Sequence, residues 1–192
     1  MSYRQTLAKG IAVVAILLAC SSAQAYPPAV GILSKSPSCL SCHVSNGSWT
    51  DETRTIIDVV DGSTNRSLRS EDGSFLIEVR RGEARTVKTV VGSTKESAVP
   101  LRNAWLYVDP GQIATSGLSK FAPGWDVNLP MACRIAGDQL DTYPGAHLTV
   151  LPMTVRPLDA ARNADVELQV MLTRGESVKG RAKEGLISNY FV

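Results

Sequence analysis

From Leu68 to the end of the chain, apolar residues recur at every second position in a series of short runs. Phe75-Leu76-Ile77-Glu78-Val79-Arg80 alternates, and so does Arg85-Thr86-Val87-Lys88-Thr89-Val90-Val91. Ala104 to Val108 ends at the turn Asp109-Pro110-Gly111. His147 to Leu151 and Met153 to Val155 flank Pro152, and Asp165 to Thr173 alternates again through Val166, Leu168, Val170 and Leu172. Leu186 to Val192 closes the chain. A period of two sends successive side chains to opposite faces, so each run offers one face to a core. Long helical periodicity is absent, apart from a single turn at Leu158 to Asn163. Short strands with turn signals between them predict a mainly β domain with antiparallel sheets.

Such a series is expected to fold as an immunoglobulin- or fibronectin-like antiparallel β-sandwich over residues 67–192. Residues 26–66 have a different composition, that of a loop: Pro27, Pro28, Pro37, Gly31, Gly47 and several Ser and Asn. Ser48-Trp49-Thr50-Asp51-Glu52 is suited to open a short helix capped by Thr50 or Ser48. The β-branched stretch Arg54 to Val60 reads equally well as a first strand, and both readings stay open. A polar segment of this kind buries little of itself. It needs apolar mass from elsewhere.

That segment contains Cys39-Leu40-Ser41-Cys42-His43. Two cysteines at i and i+3, followed at once by histidine, read as a covalent haem-attachment site. Each thiol adds across one haem vinyl group, and two intervening residues let one turn of backbone span both vinyls. His43 then lies under the iron and ligates it through imidazole. A dithiol redox pair would want a βαβ context, which is missing. Structural zinc would want a second pair of ligands, and beyond His43 the chain offers only Cys133 and His147. The expected cofactor is one covalently attached haem c.

Covalent haem attachment requires export, and the N-terminus supplies a signal for it. Arg4 and Lys9 form a positive region, Ile11 to Cys20 is apolar, and Ala23-Gln24-Ala25 is an A-x-A cleavage pattern. The apolar run is too short to span a bilayer. Removal of residues 1–25 from the 192 leaves 167, beginning at Tyr26. That leader carries two cations and no acids, so the formal charge falls from +2 to about zero, without the basic excess of a nucleic-acid binder. Leu17-Leu18-Ala19-Cys20 also resembles a bacterial lipoprotein box, with Cys20 as the lipidated residue. The expected location is the bacterial periplasm, either free or tethered there by lipid.

The chain resembles the c-type cytochromes at Cys39, Cys42 and His43. The small helical cytochromes c close with a terminal helix against the haem, whereas this chain closes in apparent strands, so their other ligand positions are not carried over. The architecture is similar to that of cytochrome f, which combines a single N-terminal haem with a mainly β, sandwich-like domain. Its mature chain also begins Tyr-Pro, as Tyr26-Pro27 would here. That resemblance implies the α-amino group of Tyr26 as a candidate for the second axial ligand. The spacing from Tyr26 to the haem motif is shorter here than in cytochrome f. The other candidates are His147 and the thioethers of Met131 and Met153, and methionine would raise the potential relative to histidine. An empty sixth position would instead admit small gases.

Cys133 is left over once the haem cysteines are assigned and Cys20 is removed: a buried thiol, an iron ligand, or half of an intermolecular disulfide. Trp49, Trp105 and Trp125 read as core residues or haem neighbours. Arg174 to Lys183 carries four cations against Glu176, as a solvated hairpin tip or a dock for an acidic redox partner. There is no Gly-x-Ser-x-Gly elbow and no phosphate loop, so a non-enzyme is expected. The resulting expectation is an exported monohaem carrier of single electrons between periplasmic or membrane-bound redox proteins. Its alternatives are a haem-based CO/NO sensor and a haem-bearing subunit of a larger redox complex.

Overall fold

A computed structural model describes residues 52–100, 102–108, 122–173 and 188–191. A 3-10 turn at Glu52–Arg54 leads into β1 (Thr55–Asp61), which decides the open reading of Arg54 to Val60 in favour of a strand. There follow β2 (Arg85–Ser93), β3 (Arg102–Val108), β4 (Trp125–Val127), β5 (Met131–Arg134), β6 (His147–Pro157), β7 (Glu167–Thr173) and β8 (Ser188–Phe191). They form two four-stranded antiparallel sheets, ordered β1-β2-β6-β4 and β5-β3-β7-β8. β1 thus belongs to the first sheet, although it lies in the stretch that the composition assigns to haem attachment.

The expected period-two faces meet in one core. Val59, Val87, Val91, Met153 and Val155 of the first sheet pack with Trp105, Tyr107, Ala132, Val170 and Leu172 of the second. Two polar links cross this core. Asn103 Nδ2 donates to the Val91 carbonyl at 2.9 Å and to Thr149 Oγ1 at 3.0 Å, and Thr89 Oγ1 lies 2.9 Å from the Tyr107 hydroxyl. Burial pushes the Tyr107 phenol well above its ordinary value, and the Thr89 bond opposes that only in part.

β6 runs unbroken through Pro152, where the chain reads as two runs. β4 pairs only with Val155–Pro157, so the flank of β6 away from β2 has no described strand at Pro152 and tolerates a missing N–H. Gly92 is also positional. A Cβ there would fall on the His147 carbonyl of the neighbouring strand.

Phe75 to Arg80 departs from expectation. Phe75, Ile77 and Val79 are half-buried against the core and alternate with exposed neighbours, but the segment forms no regular ladder. It makes a single bridge, Arg69 to Phe75. Residues 66–77 instead fold into a hairpin beside β1, with Leu68 N–H donating to the Val59 carbonyl at 2.9 Å and Leu76 N–H to the Leu68 carbonyl at 3.1 Å. Alternation reports which face is buried. It does not report whether a partner strand exists.

The outer face of the first sheet carries a second apolar cluster: Ile56, Val60, Val90 and Leu148, covered by Leu140 and Ala146 of the β5–β6 connection. A buried carboxylate ties that cover down. Asp58, 1 % exposed, accepts bonds from the Tyr143 hydroxyl (2.7 Å), the Ser67 hydroxyl (2.7 Å) and the Val59 N–H (2.8 Å). Burial, and then the Asp58 bond, push the Tyr143 phenol up to about 12, and the Arg69 charge works against this.

Two outcomes follow from these contacts. Leu148→Ala removes a fully buried side chain and should cost about 2–5 kcal/mol in denaturant unfolding. The folded-state pKa of Tyr143 exceeds the ordinary value of 10, so its contribution is complete below about pH 10 and lost as pH rises toward about 12. Tyr143→Phe should therefore lose less stability than the parent between pH 10 and pH 12, measured by chemical unfolding across that window.

Candidate functional site

Tyr26, Cys39, Cys42 and His43 lie outside the described residues, as do Cys20, Trp49 and Arg174 to Lys183. Three distal-ligand candidates are described, and the fold keeps them apart. His147 opens β6, half-buried, opposite Ser93, which in turn is opposite Thr55. It therefore sits at the end of the first sheet where β1 begins. Met153 lies six residues further along the same strand, roughly 20 Å away. It is 0 % exposed and packed in the shared core.

Met131 belongs to the other sheet. It is opposite Leu106 and packs with Leu106 and Val108, which alternate along β3 with the core residues Trp105 and Tyr107. Met131 thus lies on the face turned away from the shared core. Cys133, half-buried on β5, is opposite Ala104. Among the described residues, no three His, Cys, Asp or Glu side chains come close enough to hold a metal ion.

The described residues do form an apolar cleft of about 530 Å³. One wall is the hairpin beside β1. Its tip is tightened by Ser70 N–H to the Ser74 carbonyl (2.8 Å), Gly73 N–H to the Ser70 carbonyl (3.0 Å) and Ser74 N–H to Asp72 Oδ1 (2.9 Å), with Gly73 at φ +87°. The Ser74 hydroxyl, 2.7 Å from Asp72 Oδ1, holds that carboxyl below the usual carboxylate range, with help from the Ser74 N–H. Phe75, Leu76 and Ile77 form this wall, with the Arg69 guanidinium 4.6 Å from the centre of the Phe75 ring.

Trp125, Val166 just ahead of β7, Leu168 within it, Tyr107 and Val155 also line the cleft. Trp125 is placed by the turn before it. Its N–H donates to the Ala122 carbonyl at 3.1 Å, and its indole N–H to the Arg162 carbonyl at 3.0 Å. Gly124 has φ +82° and passes so close to Ala161 that a Cβ would lie 2.7 Å from that residue's nitrogen.

A volume of this size, lined by aromatic and branched side chains with a few polar groups, is that of a small-molecule or cofactor site. The same residues read in the chain as strand and core, because alternation marks burial without distinguishing a filled interior from a cleft wall.

Trp125→Phe keeps an aromatic ring, though a smaller one, and removes the bond to Arg162. It should cost about 1 kcal/mol in denaturant unfolding without loss of the β-sheet circular dichroism.

No protein-family model, no curated protein and no solved structure matches this chain.

Proposed function

We propose that this chain is an exported monohaem c-type cytochrome that carries single electrons between periplasmic partners. The observation that carries the reading is Cys39-Leu40-Ser41-Cys42-His43 placed behind an export leader. Cys39 and Cys42 hold the porphyrin and His43 is the proximal ligand. Bound haem supplies a one-electron couple at iron, and the chain sets the potential through ligand identity and burial. Redox proteins of the periplasm or its membrane are the partners.

We read the β-domain as an immunoglobulin-like sandwich. Strand order supports this: β1-β2-β6-β4 follows the A-B-E-D sequence of such folds, and β3, β7 and β8 follow C-F-G. Trp105, buried on β3, occupies the strand where these folds carry a core tryptophan. β5 is an additional edge strand beside β3, formed after β4.

The test is made on the exported protein. Haem should remain with the polypeptide on a denaturing gel, and Cys39→Ser with Cys42→Ser should abolish it. The absorption spectrum should be that of a low-spin haem that ignores carbon monoxide. High-spin iron that takes up carbon monoxide would replace the carrier with a gas sensor. Absence of covalent haem in the parent chain would overturn the reading altogether.

A further inference from the structure

The second arm of the hairpin, Phe75 to Arg80, has one bonded flank and one open flank. Toward β1, Leu76 N–H donates to the Leu68 carbonyl, and the Glu78 carbonyl accepts from Arg85 Nη1 at 2.9 Å. In an extended chain the N–H and C=O of one residue point to the same flank, and those of the next residue to the other. Leu76 and Glu78 therefore face β1, whereas Ile77 and Val79 face away from it. Among the described residues, none bonds the backbone groups of Ile77 or Val79. The side chains alternate in step. Ile77 and Val79 pack against the core, while Leu76, 60 % exposed, Glu78 and Arg80 stand in solvent. An open flank of this kind is a template for another strand.

We propose that this flank is where two copies of the chain meet, arm against arm, in an antiparallel pair about a two-fold axis at Val79. The pairing needs no haem. A two-fold axis presents the same residues to each copy, so the arm must complement itself. With the axis at Val79, Glu78 of each copy falls opposite Arg80 of the other, and two ion pairs form on the exposed face. The two Val79 residues, whose N–H and C=O face the open flank, then exchange their hydrogen bonds. Glu78 and Arg80 become a non-hydrogen-bonded pair, the geometry that brings side chains closer.

Other registers lose these gains. An axis at Glu78 sets two carboxylates opposite each other, and an axis at Ile77 leaves both charges without an opposite charge. A slip of one residue sets exposed side chains against half-buried ones. The arm ends where Gly82 takes φ +78° and Glu83 N–H donates to the Arg80 carbonyl at 3.1 Å, which confines the ladder to Ile77 through Arg81. Leu76 lies opposite Gly82 of the other copy and diagonal to its Arg80, whose aliphatic stem covers the exposed leucine. A ladder this short belongs with small, transient interfaces, and a dissociation constant on the order of 100 µM is expected.

Sedimentation equilibrium of the mature chain at low salt, from about 10 µM to about 1 mM, tests this. The parent should pass from monomer to dimer over that range. Glu78→Arg and Arg80→Glu each set like charges opposite each other on solvent-exposed positions, and each should weaken the dimer at least about tenfold. Mixed together, the two variants should form a heterodimer, because every arginine then faces a glutamate. A damaged fold does not produce that recovery. In the parent, the Val79 amide should exchange about threefold more slowly at the higher concentration. A parent that stays monomeric at the top of the range overturns the proposal. So does a dimer that both charge variants leave intact, a mixture that stays monomeric, or a dimer in which Val79 exchange is unchanged.

Discussion

The contact of β3 with β2 and β6 holds the two sheets to each other, and the other elements are arranged around it. Trp105, 1 % exposed, lies at its centre. Burying a side chain of that size contributes roughly 4–6 kcal/mol by area. Its indole N–H has no acceptor among the described residues, which costs about 1–3 kcal/mol, so burial wins. Hydrophobic contact has no direction of its own. Asn103, bonded to both Val91 and Thr149, gives the two sheets a fixed alignment that apolar packing alone does not specify.

The first sheet is covered on both faces. Its inner face meets the second sheet, and its outer face is closed by the β5–β6 connection, pinned through Tyr143 to Asp58. Asp58 faces no cation among these three donors. Two hydroxyls and a backbone N–H carry the cost of burying the carboxylate, which ties the cover to β1 and to Ser67 of the hairpin at once. The same hairpin forms a wall of the cleft. Cover and cleft are therefore coupled through one carboxylate.

The cleft is lined by the hairpin beside β1 and by residues around the start of β7. β8 pairs only with Val170 to Thr173, so the start of β7 has no strand on that flank among the described residues.

Period-two alternation by itself marked the faces of β2, β3, β6 and β7, because it follows from the pleat of a strand and needs no partner to be read, whereas β1 stayed open until its pairing with β2 was seen. The spacing Cys39-Leu40-Ser41-Cys42-His43 is likewise a local pattern, read without any tertiary contact. β4 and β5, three and four residues long, are too short to show a period. Phe75 to Arg80 has the period of a strand without a ladder, because pairing depends on what lies beside it. Only tertiary structure decided which apolar residues fill the core and which line a cleft, and that His147, Met131 and Met153 stand apart from one another. Those are facts about neighbours far apart in the chain, and local residue spacing carries no record of them.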